Sequence, residues 1–375
     1  MTEIEKINAI LSYLKETFVG KDDIIDLLGL TLVAKENAFL LGPPGTAKSA
    51  IVKQLSRCIS DGNNFEYLLT RFTEPNEIFG PFDIRKLKNG ELVTNTEGML
   101  PEASMVFLDE IFNANSAILN SLLMALNERM FRRGKESRKI PALMFVGASN
   151  QLPDDESLNA LLDRFLIRVK CDYVDPDDLE SVLVAGRKLA VNQTIDPPQI
   201  SPVEILTLQE SAKNVDLSAV RKEFINLVHS LRNTGVNISD RRAVKIENLI
   251  SASTILSGRN KANISDLWVL KYIWDTEEQI EILAGIVDKI LDKEETEQAH
   301  PQAKFNKIPD AEELLKDIET ISAKWDSNLT FEERNLLKDK LRFLQTRVGW
   351  ITKAEHKKHI EEAIELVWQK MLQEA

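Results

Sequence analysis

At 375 residues the chain has room for two or three domains. Hydrophobic residues at 43% and charged residues at 28% describe an ordinary globular composition and exclude a fibrous or disordered chain. The net charge of -12 excludes an overall basic footprint for nucleic acid or an anionic membrane.

The chain opens Met1-Thr2-Glu3-Ile4-Glu5-Lys6, without the basic and apolar regions of a signal peptide. No later stretch carries eighteen uncharged apolar residues, so no transmembrane segment and a cytoplasmic location are expected. Ile4, Ile7, Leu11, Leu14 and Phe18 step by three or four, which predicts an amphipathic helix that Val19-Gly20-Lys21-Asp22 breaks. A second, strongly apolar helix is expected over 24–34. Lys35-Glu36-Asn37 then leads into a strand at 38–41.

Gly42-Pro43-Pro44-Gly45-Thr46-Ala47-Lys48-Ser49 follows the apolar run Phe39-Leu40-Leu41 and precedes Ala50-Ile51-Val52, at the turn from a buried strand into a helix. This is the pattern of a phosphate-binding loop, in which backbone N–H groups and a helix N-terminus face one concavity. Lys48 supplies the cation for the β- and γ-phosphates of ATP and Ser49 the hydroxyl for Mg²⁺. The usual pattern places Gly at position 47. Ala47 adds a Cβ close to where phosphate oxygens should sit. A plain Pro/Gly turn needs neither the Lys nor the Ser. Cys58 and Cys171 stand far apart without Cys or His neighbours and read as small apolar residues in a reducing compartment.

A strand is expected at 65–69, then a turn-rich connection through Asn76-Glu77-Ile78-Phe79-Gly80-Pro81. Runs at 84–87 and 91–94, separated by Lys88-Asn89-Gly90, predict a β-hairpin because Asn-Gly favours positive φ. Met105-Val106-Phe107-Leu108 reads as a strand buried on both faces that delivers Asp109 and Glu110 to its C-terminal edge, where parallel sheets collect ligands. A helix with Ile118, Leu122, Leu123 and Leu126 on one face follows. The apolar strand Ala142-Leu143-Met144-Phe145-Val146-Gly147-Ala148 ends in Ser149-Asn150. A helix through Leu158, Leu161 and Leu162 closes with Asp163-Arg164-Phe165, and 166–169 is a last short strand. Strands alternating with helices imply parallel βαβ units.

After Pro176 the strand signals stop. Pro197, Pro198 and Pro202 mark a linker, and 203–293 reads as helices only, one of them capped by Ser239-Asp240-Arg241-Arg242. Residues 294–310 are polar. Three amphipathic helices are expected beyond them, carrying Leu314, Leu315, Ile318 and Ile321; Phe331, Leu336, Leu337, Leu341 and Leu344; and Ile360, Ile364, Val367 and Met371.

A phosphate loop, a strand ending in Asp-Glu, a strand ending in Asn and a helical domain occur in the order an ATP hydrolase needs. Asp109 is expected to hold Mg²⁺ mostly through its waters. Glu110 is expected to polarise the attacking water and Asn150 to help position it. An Arg reaching the γ-phosphate adds roughly 10³-fold or more to the rate.

The phosphate loop, Val106-Phe107-Leu108-Asp109-Glu110, Asn127-Glu128-Arg129-Met130-Phe131, Gly147-Ala148-Ser149-Asn150, Leu161-Leu162-Asp163-Arg164-Phe165 and Ser239-Asp240-Arg241-Arg242 together resemble the MoxR family of AAA+ ATPases. The RavA-like branch, where Ala before the loop lysine is common, is nearest. The resemblance covers about residues 1–290. It implies an α/β fold class: an αβα parallel-sheet core over 1–195, an all-α lid over 196–293, and a linker with a helical C-terminal extension over 294–375. It also implies a helix-2 insert hairpin at 84–94, a second hairpin at 131–140, and assembly into a homo-hexameric ring.

Carried over by motif, Arg164 is the arginine finger acting on the neighbouring subunit's ATP and Arg241 the lid sensor that touches the phosphates, with Arg242 the alternative. Arg129, Arg132 and Arg133 are expected at the subunit interface without a catalytic role, the alternative being a solvated basic loop. What the family implies for function is remodelling of protein complexes, commonly with a von Willebrand factor A domain partner. The lysine decarboxylase partner of RavA-like proteins is not carried over, because the last 80 residues read as helical. A nucleic-acid-translocating motor or restriction-type subunit is the competing reading, disfavoured by the acidic charge; a nucleotide-gated scaffold is a third. His356 and His359 lie three apart but flank two lysines, so a solvated helix face is expected.

Overall fold

The computed structural model describes residues 1–153, 155–191, 197–292, 299–304, 311–325, 330–348 and 354–373. Thr2 and Glu5 close a capping box at the start of α1 (Glu3–Thr17), which buries Ile7, Ile10, Leu11 and Leu14. In α2 (Asp22–Ala34) every residue from Ile24 onward is buried. Gly29 allows that depth, because a Cβ there would lie 2.7 Å from Leu11 Cδ2. The chain then enters β1 (Ala38–Leu41), α3 (Lys48–Arg57), β2 (Asn64–Leu68), α4 (Pro75–Phe79), α5 (Ile84–Lys88), β3 (Met105–Asp109) and α6 (Ser116–Glu128). It continues through the antiparallel pair β4 (Met130–Arg133) and β5 (Glu136–Lys139), then β6 (Met144–Ser149), α7 (Glu156–Leu162), β7 (Ile167–Lys170) and α8 (Leu179–Val191).

Five strands form one parallel sheet in the order β2-β3-β6-β1-β7. β1 and β6 are buried along their whole length, which explains their unbroken apolar sequences. β2 lies at the margin and alternates buried with exposed residues. Parallel pairing brings the C-terminal ends of β1, β3 and β6 to one edge of the sheet, termed here the carboxyl edge; the other is the amino edge.

The hairpin expected at 84–94 is corrected: residues 84–88 are the helix α5. Asp83 caps it by accepting from the backbone N–H groups of Arg85 and Lys86. Asn89-Gly90 stops the helix rather than turning a hairpin, with Gly90 at φ 81 and its N–H on Leu87 O. The chain does reverse here, and a single antiparallel bridge joins Phe82 to Thr94. Arg-Lys-Leu-Lys favours helix over strand, and the same Asn-Gly suits either ending.

The helical region contains α9 (Pro202–Ala212), α10 (Arg221–Asn233), α11 (Asp240–Leu256), a 3₁₀ stretch at Ile264–Tyr272 and α12 (Gln279–Leu291). It shares one continuous hydrophobic core with the sheet. Polar ties reinforce the seam: Gln209 Nε2 donates to Leu32 O, and Lys245 and Asn248 both reach Glu36. Of the linker expected at 294–310, residues 299–304 are described. Gln302 Nε2 donates to Asp26, and His300 stacks on Trp268 with ring centroids 4.8 Å apart.

Burial pulls the His300 pKa below its ordinary 6.5, with Asp26 and Asp266 opposing and Lys15 and Arg259 assisting. Below about pH 6.5 the unfolded chain therefore binds more protons than the folded one, so stability present at neutral pH is lost as pH falls. Calorimetric unfolding should show this loss, at most about 1.4 kcal/mol per pH unit. His300→Phe should flatten the slope between pH 6.5 and the onset of carboxylate titration; an unchanged slope rejects the assignment.

The last three helices, α13 (Ala311–Trp325), α14 (Phe331–Val348) and α15 (Ala354–Gln373), enclose a separate core of Leu314, Ile318, Ile321, Trp325, Leu337, Leu341, Leu344, Val348, Ile360, Ile364, Val367 and Met371. The side chains of Phe331 and Leu336 lie outside the described residues. Lys340 pairs with Asp177 at 2.5 Å, tying α14 to the turn before α8. Among the described residues no helix is long and apolar enough to cross a membrane.

Candidate nucleotide site

The loop at 42–49 leaves the carboxyl edge and winds into α3. Gly42 cannot be another residue, since a Cβ would lie 2.0 Å from Cys171 O. Ala47 is the N-cap of α3 and has φ 67 and ψ 14, in the left-handed region. The glycine of the usual pattern thus answers a backbone demand, and Ala47 meets the same demand at a strain of about 1–3 kcal/mol. Lys48 is buried and donates to Gly42 O at 2.5 Å and Pro43 O at 2.9 Å. Thr46 Oγ1 also donates to Pro43 O, at 2.9 Å. Tyr173 Oη donates to Pro44 O at 3.1 Å. The tyrosine comes from the segment after β7, 129 residues away in sequence, and nothing in the sequence pattern signals it.

Asp109, Glu110 and Asn150 meet the loop at the same edge. Ser49 Oγ lies 3.4 Å from Asp109 Oδ2, and Lys48 Nζ lies 3.4 Å from Asn150 Oδ1. Asn150 Nδ2 donates to Glu110 Oε1. Glu110 has φ 51, and its N–H donates to Asp109 Oδ1 at 3.0 Å. A non-glycine residue held left-handed at a functional edge is stored strain, here aiming the Glu110 carboxylate at Asn150. Adjacent ligands of an octahedral Mg²⁺ sit about 3 Å apart, given metal–oxygen distances of about 2.1 Å. A hydroxyl beside one carboxylate at 3.4 Å fits that hard cation, which keeps waters and takes phosphate oxygens for the remainder.

Arg164 and Arg241 lie elsewhere. Asn37, just before β1, uses its side-chain amide to donate to Arg164 O at 3.0 Å and Leu126 O at 3.4 Å. Arg241 Nη2 donates to Asn127 Oδ1 at 3.1 Å, at the end of α6. Both arginines are therefore anchored at the amino edge, with the length of β1 between that edge and the loop. Arg164 Nη1 pairs with Asp163 at 2.8 Å, while its Nε is buried without a partner among the described residues. Arg241 is exposed, whereas Arg242 is buried and bound to Asp275, Asn237 O and Ile273 O. Arg242 is thus committed inside its own chain.

Of the three arginines expected at the subunit interface, Arg129 and Arg133 are engaged within the chain and Arg132 stays half exposed. Arg129 donates to Ala142 O and Lys35 O, and Arg133 to Gly80 O and Asn76 with its guanidinium 3.9 Å from the Phe82 ring centroid. Arg132, in β4, pairs with Glu128 at the end of α6 at 3.1 Å. Burial pushes the Cys58 thiol up to about 12 and raises Cys171 as well, so neither is a nucleophile. His356 and His359 are exposed, and among the described residues no group of three or more His, Cys, Asp and Glu is arranged to hold a metal.

Comparison with known proteins bears on the family and the fold. The family model of the MoxR domain in the MoxR-vWA-beta-propeller ternary systems matches residues 5–210, and that of the AAA lid domain matches 217–287. A protein of Methanocaldococcus jannaschii is 36% identical over 297 residues, covering 78% of this chain and 77% of that one. The chaperone MoxR1 of Mycobacterium tuberculosis is 26% identical, covering 56% of this chain and 55% of its own. In fold, the chain resembles the crystal structure of a candidate ATPase from Cytophaga hutchinsonii, with a TM-score of 0.63 at 19% identity over 79% of this chain and 96% of that one.

Proposed function

Since the chain belongs to the MoxR family of AAA+ ATPases, we propose that it hydrolyses ATP to ADP and phosphate within a homo-hexameric ring and uses the cycle to remodel a protein complex. The observation that carries this is the division of the machinery between two sheet edges: Lys48, Ser49, Asp109, Glu110 and Asn150 at one, Arg164 and Arg241 at the other. Head-to-tail packing of copies brings one edge onto the next and closes into a ring.

In that arrangement Lys48 exchanges its bonds to the loop carbonyls for the β- and γ-phosphates, while the loop N–H groups and the α3 N-terminus hold the remaining oxygens. Ser49 and Asp109 would hold Mg²⁺, Asp109 mostly through its waters, and the bound ion would neutralise charge on the phosphates. Glu110 accepts a hydrogen bond from the attacking water, and Asn150, which donates to Glu110, fixes the carboxylate's direction. Arg164 and Arg241 serve the neighbour's γ-phosphate. A partner with a von Willebrand factor A domain is supported by the description of the matching family model, which is drawn from ternary systems with such proteins.

The direct test is Lys48→Ala. Losing charge-assisted hydrogen bonds, each worth about 1.5–3 kcal/mol, should weaken ATP binding about 10- to 10²-fold by calorimetry. Unchanged affinity removes the loop from the mechanism.

A further inference from the structure

We propose that Asp275 is a positioning residue for ATP turnover: by holding Arg168 and Arg242 on one carboxylate oxygen, it sets Arg164 and Arg241 in the relative placement with which they meet a neighbouring copy's nucleotide. This rests on the placement in trans proposed above, and extends it to groups that touch no nucleotide.

Arg168 sits in β7 with 1% exposure. Its Nη1 donates to Asp275 Oδ1 at 2.5 Å and to Trp274 O, and its Nη2 donates to Leu162 O at 3.2 Å. Leu162 is the last residue of α7, two before Arg164. On the other side, Arg242 Nη1 donates to the same Asp275 Oδ1 at 2.7 Å and to Asn237 O at 2.9 Å, and Nη2 reaches Ile273 O. Arg242 is the immediate neighbour of Arg241 in the first turn of α11, whose N-cap Ser239 accepts from the Arg242 N–H at 3.2 Å. Asp275 Oδ2 also accepts from the N–H of Asn237 at 3.4 Å.

An unbroken polar chain thus runs from the backbone at the Arg164 turn, through Arg168, Asp275 and Arg242, to the backbone at Arg241. It crosses from the sheet to the helical region. Burial opposes ionisation of Asp275, but Arg242 and Arg168 outweigh it and hold the carboxyl below its ordinary range. Burying two guanidiniums around one carboxylate is a costly way to gain stability, and apolar packing of equal volume serves stability as well or better. What planar guanidinium forks supply is direction. The need for direction is specific to this edge, because a misplacement of about 1 Å at reacting groups costs about 10²-fold in rate.

Asp275→Asn keeps the shape and removes the charge. In the full-length protein it should slow steady-state phosphate release about 10²-fold. The diagnostic readout is mixing. Asp275→Asn has an intact loop and misplaced arginines, so adding Glu110→Gln subunits, with intact arginines and a dead loop, should restore turnover. Adding Arg164→Ala subunits should restore none. Wild-type turnover by Asp275→Asn overturns the inference. So does failure of Glu110→Gln to restore Asp275→Asn while it restores Arg164→Ala, the pattern of a merely structural role. If Arg164→Ala itself is not restored, placement in trans falls first and this inference with it. Arg242→Lys, which keeps the charge but loses the fork, should show the same side-specific pattern with about tenfold slower turnover, since it disturbs only the Arg241 branch; it decides the matter should Asp275→Asn fail to fold, and a wild-type rate there overturns the inference.

Discussion

Replacing Arg164 with alanine should slow ATP turnover about 10³-fold while leaving ATP binding intact, because an arginine acting on the γ-phosphate contributes chiefly to the transition state. The side chain sits at the edge of the sheet away from its own loop, half-buried, with Nη1 held by Asp163 at 2.8 Å and Nε unpartnered among the described residues. Asn37, buried beside β1, anchors the Arg164 carbonyl, so the backbone that presents the guanidinium is fixed before any neighbour arrives. Phosphate release by Arg164→Ala, alone and mixed with Glu110→Gln subunits, measures the role directly. Restoration in the mixture is expected. Turnover near the wild-type rate in Arg164→Ala alone, or no restoration at all, rejects an arginine acting between copies.

Glu110→Gln is the complementary change, and its expected effect is a loss of turnover of about 10²- to 10⁴-fold with ATP binding preserved. Glutamine has the same shape and can still accept the Asn150 amide, but it cannot take up positive charge from an attacking water. Residue 110 lies outside the loop that holds the phosphates, and its left-handed backbone is set by the turn after β3 rather than by the side chain's charge. Calorimetric titration with ATP and a phosphate-release assay separate the two properties. Turnover within about tenfold of wild type counts against Glu110 as the group that activates water. Recovered from cells in ATP, this same form should retain the complex it acts on, and a von Willebrand factor A domain protein among the retained chains would support the proposed partnership.

The loop and the Asp-Glu strand were legible because their signals are local: an apolar run of four residues, then a turn, with the chemistry at the next one or two positions. Other features misled or stayed silent for equally physical reasons. Asn89-Gly90 suits a hairpin turn and a helix stop alike, and only the Asp83 cap and the helix-favouring run between them tip 84–88 into α5. Ala47 looked like a steric intrusion on phosphate, whereas the structure traces the glycine preference to a positive φ. Arg129 looked like an interface residue in a basic run, yet its guanidinium is taken by carbonyls on either side of the sheet's amino edge.

The sequence by itself determined the order of the strands and helices outside 84–94, the apolar faces that build the core, and the identity of Lys48, Ser49, Asp109, Glu110 and Asn150 at the carboxyl edge, since each follows from residues within one or two turns of chain; it left Tyr173 unsignalled. Only the tertiary structure decided which of those groups meet and which are held apart. Lys48 and Asn150 are 102 residues apart in sequence and lie within 3.4 Å. Arg168 and Asp275 are separated by 107 and share a half-buried ion pair. Arg164, expected to act on a neighbouring copy's ATP, and Arg241, expected to touch the phosphates, are placed by parallel strand pairing and by the seam along α2 at the far edge of the sheet from their own loop. Pairing register and the packing of one apolar surface on another set these distances, and neither is written in any single stretch of the chain.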